Sequence, residues 1–249
     1  MVIGGLEKLT LIDFPGRVAA IVFTSSCNFR CHFCYNPLLV WPENRDTDKG
    51  RNIEGHPQNQ AKINSSSAHV DDLFKFLESR RGKLTGVVIT GGEPTMHVDL
   101  PDFIKKIRAL GYDIKLDTNG TNPEMVQKCL DEKLIDYLAM DIKAPLEKYE
   151  SVVGVKIDAK KIKQSIKIIM TSGVPYEFRT TVVPGLLTAA DIAPMGELIS
   201  GADKWYLQKF KSNTELVDTD FEGEAAFTDK DMSALAEAGA KYVKMCSWR

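Results

Sequence analysis

Short apolar runs alternate six times with amphipathic stretches along this chain, and that alternation constrains the fold more than any other feature. Residues 18–24 (VAAIVFT), 86–90, 112–118, 135–142, 176–183 and 204–210 are rich in β-branched and aromatic residues and read as strands. Between them, 71–81, 100–111, 122–133, 159–173 and 188–200 place apolar residues at helical spacing, several opened by Asp or Asn or closed by Gly. Such an order predicts an α/β fold with a parallel sheet and right-handed crossovers, either open or curled into a barrel. Periodicity does not separate the two.

At 249 residues, 43% hydrophobic and 27% charged, the chain has the bulk for one large domain spanning 1–249, the alternative being two small ones. Two segments depart from the alternation. Residues 43–69 are polar and lack an apolar period, so they read as a mobile surface insertion, with His56 and His69 solvated within it. From about residue 211 the chain reads as a cap, a helix followed by a short strand, with Trp248 either anchoring the tail or exposed. A net charge of −2 gives no basic excess for nucleic acid. No apolar run approaches the roughly 18 residues of a membrane span, and the N-terminus lacks a signal pattern, which predicts a cytoplasmic protein without a membrane partner.

Cysteine usage points to a metal site. Three of the five cysteines, Cys27, Cys31 and Cys34, fall within the run CNFRCHFC directly after the first strand. Three thiolates leave a tetrahedral site one ligand short, and on a 4Fe-4S cluster they leave one iron open to a second molecule. The alternative is a structural zinc knot with His32 as fourth ligand, although zinc sites usually pair CxxC halves across a longer spacer. With no cysteine in the insertion, no auxiliary cluster is expected. Cys129 reads as a small buried hydrophobe and Cys246 as structural.

The remaining polar motifs sit at the C-terminal ends of strands, where α/β proteins place their active sites. GGEP supplies Gly91, Gly92, Glu93 and Pro94: glycines for close backbone approach to a ligand, and a carboxylate for an ammonium group. DTNG supplies Asp117, Thr118, Asn119 and Gly120, and MDIK supplies Asp141 and Lys143. Turn formation alone would account for Asp and Asn at strand ends, whereas gathered together these groups suit a zwitterionic ligand. Arg179 could clamp a carboxylate or pair with an acid, and Gln208 is a weaker candidate.

The spacing C-x3-C-x2-C, with Phe33 before the last cysteine, resembles the signature of the radical S-adenosylmethionine (SAM) superfamily. GGEP, DTNG, MDIK and RTTVVPG around Arg179 resemble the glycyl-radical-enzyme activases within it, and EKLTLIDFPG with the cysteine run resembles the activating proteins of anaerobic ribonucleoside-triphosphate reductase. The resemblance covers about 4–42 and 70–210, and departs where Ser26 stands before Cys27 in place of the glycine of many relatives. It implies an incomplete (β/α)6 TIM-like barrel, the radical SAM fold. It implies one 4Fe-4S cluster on Cys27, Cys31 and Cys34, and SAM held near Phe33, Gly92, Glu93, Asp117, Thr118, Asn119, Asp141, Lys143 and Arg179. A monovalent cation at Asp117, Thr118 and Asp141, a glycyl radical enzyme as protein substrate, and flavodoxin or ferredoxin as electron donor are implied as well. The competing readings are a radical SAM enzyme acting on a small molecule or another peptide, and a non-enzymatic zinc-binding interaction module.

Overall fold

The computed structural model of the chain describes residues 1–40 and 67–249. Of the expected insertion, 43–66, with His56, lies outside the described residues, and 67–69 open a helix. Within the described residues the chain forms two compact units. One holds Met1–Asn28, Leu38–Thr118 and Glu124–Leu138, and the other Phe29–Pro37, Asn119–Pro123 and Ala139–Arg249.

In the first unit β1 (Ile3–Thr10) runs antiparallel to β2 (Ala19–Thr24). Then β3 (Gly86–Gly91) and β4 (Asp113–Thr118) follow in parallel, with Val22 opposite Ile89 and Ile89 opposite Leu116. Strand β2 is buried on both faces, as its unbroken apolar run requires of a parallel strand. Strand β1 was not expected, because IGGLEKLT carries two glycines and no strict alternation; pairing with β2 makes it a strand.

Four helices belong to this part of the chain: α1 (Pro37–Val40), α2 (Ser67–Ser79), α3 (Leu100–Ala109) and α4 (Pro123–Asp131). Helix α3 shows why the pattern works. Leu100, Phe103, Ile104 and Ile107 form its buried stripe, Asp102 lies in the first turn, Lys106 and Arg108 lie in the last, and Gly111 closes it at φ +92°. Phe14, Ala19, Ile21, Val88 and Tyr137 pack together near the N-terminal ends of the strands.

Strand β5 (Tyr137–Asp141) starts in the first unit and ends in the second. There β6 (Tyr176–Val182), β7 (Trp205–Lys209) and β8 (Cys246–Trp248) pair in parallel, with Phe178 opposite Trp205 and Trp205 opposite Cys246. Helices α5 (Tyr149–Val153), α6 (Ala159–Met170), α7 (Ile192–Leu198) and α8 (Asp229–Gly239) complete it. The helix expected over 188–200 is shorter, since 189–191 form a 3-10 turn ahead of Pro194. The expected terminal helix and strand are α8 and β8. Trp248 Nε1 donates to Ser233 Oγ at 3.0 Å and Arg249 reaches Glu177 at 2.9 Å, so the tail is anchored. Cys246 lies against α8, where a Cβ on Gly239 would stand 2.7 Å from its sulfur. The six anticipated strands are β2 to β7, and the class is α/β with a parallel sheet.

Candidate active site

At the end of β2 the backbone turns through Ser26, whose φ of 75° is the left-handed conformation that glycine accepts freely. Against it lies the GGEP loop. Gly92 N donates to Thr24 O and Glu93 N to Ser26 O, each at 2.8 Å. A Cβ on Gly91 would lie 2.3 Å from Thr24 N, and one on Gly92 only 1.9 Å from Ser26 O. The two glycines therefore allow the end of β3 and the loop after it to approach the end of β2 and the turn through Ser26 closely. Glu93 is buried, and its Oε1 accepts from Thr95 N at 3.1 Å, Thr95 Oγ1 at 2.5 Å and Thr118 Oγ1 at 2.8 Å.

Two hydroxyls beside this loop have no protein partner among the described residues. Thr24 Oγ1 and Ser25 Oγ are fully buried and make no hydrogen bond, although the Ser25 backbone is held by Val2 O and by the His97 ring. Buried hydroxyls are normally paired, so orphans two and three residues before Cys27 mark a place where a bound group would supply acceptors. On β4, Asp117 accepts from Lys115 Nζ at 2.7 Å, both side chains being almost fully buried.

The second unit carries the rest of the cysteine run. Arg30 N donates to Val153 O at 2.8 Å, and Cys34 N to Cys31 O at 3.0 Å, which closes the loop into a turn. Phe29 packs edge-on against the buried Tyr149, their centroids 6.2 Å apart. Lys143 Nζ lies 5.8 Å from the centre of the Phe33 ring and 2.9 Å from Asp141 Oδ2. Arg179 Nε is 2.8 Å from the other oxygen, Oδ1. Arg179 comes from the middle of β6, not from a strand end as the sequence suggested. Asn119 Oδ1 accepts from Thr121 N and Oγ1 at 3.0 and 2.7 Å, the turn-forming role open to it from the start. Gln208 lies on β7 opposite Thr181.

The electrostatics follow from burial and these pairs. Burial by itself favours a neutral Asp141, but Arg179 and Lys143 outweigh it and hold the carboxyl well below the usual carboxylate range. Burial likewise disfavours the charge on Lys143, which Asp141 and then Cys31 more than restore. The Cys31 thiol is pushed up to about 12 by burial, against the pull of Lys143, and Cys34 rises for the same reason. A metal bound there must displace protons, which couples its binding to pH.

His32 is not available as a zinc ligand. Its Nδ1 is 2.7 Å from Asp218 Oδ2 and its Nε2 is 3.2 Å from Ser151 O, so both ring nitrogens are engaged. Val217 N and Asp218 N donate to the carbonyls of Cys34 and His32 at 3.1 and 3.0 Å, lashing the 211–224 segment to the cysteine loop. Among the described residues no three His, Cys, Asp or Glu side chains form a group that could hold one metal ion. On a cubane cluster each cysteine binds its own iron, so its ligands need no common point. Lys115, Thr95, Tyr149 and Asp218 escaped the sequence reading; only Lys115, two residues before Asp117 on the same strand face, carried a signal that could have found it.

Comparison with known proteins bears on this geometry. The profile of the radical SAM superfamily matches residues 21–193. A protein of Methanocaldococcus jannaschii assigned as a glycyl-radical enzyme activating enzyme is 28% identical over 246 residues, 97% of this chain and 92% of that one. The pyruvate formate-lyase-activating enzyme of Listeria monocytogenes is 30% identical over 145 residues, 55% of this chain and 51% of the enzyme. Among solved structures, Streptococcus suis SuiB bound to S-adenosylmethionine aligns with a TM-score of 0.59 at 14% identity, over 92% of this chain and 51% of that one. Escherichia coli coproporphyrinogen III oxidase, a radical SAM enzyme, aligns at 0.55 and 13% identity, over 91% and 54%. The structural likenesses show the fold. The chain spans about half the length of the Listeria enzyme and of SuiB. Among the described residues no helix is long and apolar enough to cross a membrane.

Proposed function

The chain belongs to the radical SAM superfamily, and on that premise we propose that it is a glycyl-radical-enzyme activase whose protein substrate is an anaerobic ribonucleoside-triphosphate reductase. The observation that carries this reading is the similarity to an assigned activating enzyme along 97% of the chain. The site suits the cofactors. Cys27, Cys31 and Cys34 would hold three irons of a 4Fe-4S cluster, and the orphaned Thr24 and Ser25 hydroxyls lie beside that loop. When bound, the cluster supplies an electron for reductive cleavage of SAM, which yields the radical that takes a hydrogen atom from a glycine.

The protein's part is binding, orientation and exclusion of water. Glu93, fixed by Thr95 and Thr118, would receive the amino group of SAM, with the Gly92 backbone beside it. Lys143 and Arg179, both held on Asp141, would receive the SAM carboxylate. Phe33, under the Lys143 ammonium, would shield the cluster, and Asn119 would shape the strand-end turn. The chain would act as one catalytic domain in the cytoplasm, with the segment from 211 capping the cysteine loop and flavodoxin or ferredoxin reducing the cluster.

The test is anaerobic reconstitution with iron and sulfide, reduction by dithionite with SAM, and assay for 5'-deoxyadenosine. Incubation with the reductase should then give a glycyl radical by spin resonance. Cleavage of SAM without that radical would assign the chain to a different peptide or small-molecule substrate. Tight zinc in place of the cluster would return it to an interaction module.

A further inference from the structure

The segment after β7 closes on itself and lies over part of the cysteine run. Gly223 N donates to Ser212 O at 3.0 Å and Ser212 Oγ to Glu224 O at 2.6 Å, so the ends of 212–224 meet as in an Ω-loop. Inside it Leu216 is buried, and its N–H donates to Glu222 Oε1 at 3.0 Å. The loop grips residues 31–35 of the same unit. Lys211 N donates to Tyr35 Oη at 2.9 Å, and the Tyr35 ring stacks on the buried Phe210 with 6.2 Å between centroids. Val217 N and Asp218 N take the carbonyls of Cys34 and His32 at 3.1 and 3.0 Å. The Asp218 carboxylate joins the two segments: Oδ1 accepts from Asp220 N at 3.1 Å, and Oδ2 meets His32 Nδ1 at 2.7 Å. The other ring nitrogen lies 3.2 Å from Ser151 O, which ties this latch to α5.

These bonds fix which way the peptides face. In a trans peptide the carbonyl and the N–H of the next residue point in opposite directions. With His32 O and Cys34 O turned onto the Ω-loop, the N–H groups of Phe33 and Tyr35 point away from it. Backbone N–H groups presented together in a turn make an anion-binding concavity of the kind found at Fe–S sites, and a cluster on three thiolates is such an anion. Hydrogen bonds to its sulfurs stabilise the state with one more electron and so raise its reduction potential. We propose that the Ω-loop, latched by Asp218 on His32, holds the Phe33 and Tyr35 N–H groups toward the cluster and keeps its potential within reach of a low-potential one-electron donor. One electron passes from donor to cluster in that step, and no bond forms or breaks. The clamp is a property of the fold; its effect on the potential rests on the radical SAM reading of the site. Asp218 is a positioning residue, acting through the backbone of 32–35.

The experiment compares wild type, Asp218→Ser and Asp220→Asn. Serine still caps the 219–221 turn but is too short to reach His32, and Asp220→Asn removes a charge from the same loop at an exposed position while leaving the latch in place. In the metal-free proteins, amide exchange read by mass spectrometry over 29–37 and 212–224 should be about tenfold faster in Asp218→Ser than in wild type or Asp220→Asn. In the reconstituted proteins, a mediated dithionite titration followed by spin resonance should place the Asp218→Ser cluster lower, by about tenfold in the ratio of reduced to oxidised cluster at a fixed potential, or about 59 mV. The sign is diagnostic, because loss of a nearby negative charge alone raises the potential whereas loss of the latch lowers it. An unchanged or raised potential in Asp218→Ser would overturn the proposal, as would exchange equal to wild type. Should Asp218→Ser fail to fold, His32→Leu breaks the same contact from the other side with every carboxylate kept, and must show the same faster exchange and lower potential. If the wild type assembles no cluster, the effect on the potential falls with the cluster reading, while exchange in the metal-free protein still decides the clamp. Neither readout uses 5'-deoxyadenosine or a glycyl radical, so loss of the activase reading and loss of this one are told apart.

Discussion

Substituting Gly92 by alanine should be among the most damaging single-methyl changes available to this chain. The added Cβ would lie 1.9 Å from Ser26 O, 2.5 Å from Ser26 C and 3.2 Å from Cys27 N. Contact distance for a carbon is nearer 3.5 Å, so the GGEP loop and the cysteine loop would have to separate by more than about 1 Å. Nothing flexible lies between them, since the atoms met are backbone. Separation stretches or breaks two hydrogen bonds, Gly92 N to Thr24 O and Glu93 N to Ser26 O. Each contributes about 1 kcal/mol, and the overpacking adds about 1–3 kcal/mol, giving a loss of roughly 3–5 kcal/mol. For a chain of this length that lowers the thermal midpoint by roughly 10 °C. Calorimetry of the metal-free protein would measure it, with Gly5→Ala as control, where the nearest atoms to the new Cβ belong to the Phe23 side chain, at 3.5 Å and beyond. Iron bound after reconstitution should fall too, because the displaced atoms include the backbone of Cys27. If Gly92→Ala melts no lower than Gly5→Ala, the close approach is not the reason for the glycine.

Three further outcomes follow from the same coordinates. Ser26→Gly should raise the midpoint by a few degrees, about 0.5–1 kcal/mol, because φ 75° costs serine more than glycine even after glycine's looser unfolded chain is counted; a lower midpoint would refute the strain. Ser25→Ala should leave the metal-free protein as stable as wild type or more so, by up to about 1 kcal/mol, since it removes an unpaired buried hydroxyl, and should weaken SAM retention in the loaded enzyme. Equal retention would mean that the bound group does not use that hydroxyl. In alkali, burial holds the Cys129 thiol protonated up to about 12 while the unfolded chain ionises near 9, so the folded state binds more protons and its stability falls as pH rises from 9 toward 12. Metal-free Cys129→Ala should show a shallower decline in denaturant titrations across that range; parallel curves would show that the thiol ionises in place.

Legibility in the sequence followed the range of the interaction. The six strands and the larger helices are governed by near neighbours, and apolar runs such as VAAIVFT or the Leu100, Phe103, Ile104, Ile107 stripe displayed them directly. The cysteine run and the strand-end motifs were legible for the same reason: their residues are adjacent, and topology sends every C-terminal strand end to the same side of a parallel sheet. Strand β1 was not, because it exists through its partner β2 and not through its own pattern. Nor was the division of labour among the charged groups. Arg179 finds Asp141 across 38 residues and His32 finds Asp218 across 186, and no local period records such meetings. Composition and spacing determined which chemical groups the site would hold. Which carboxylate is already paired, which histidine is already engaged and which glycine has no room for a side chain were decided by tertiary structure alone, because hydrogen bonds and ion pairs depend on distance in space and hydrophobic periodicity on distance along the chain.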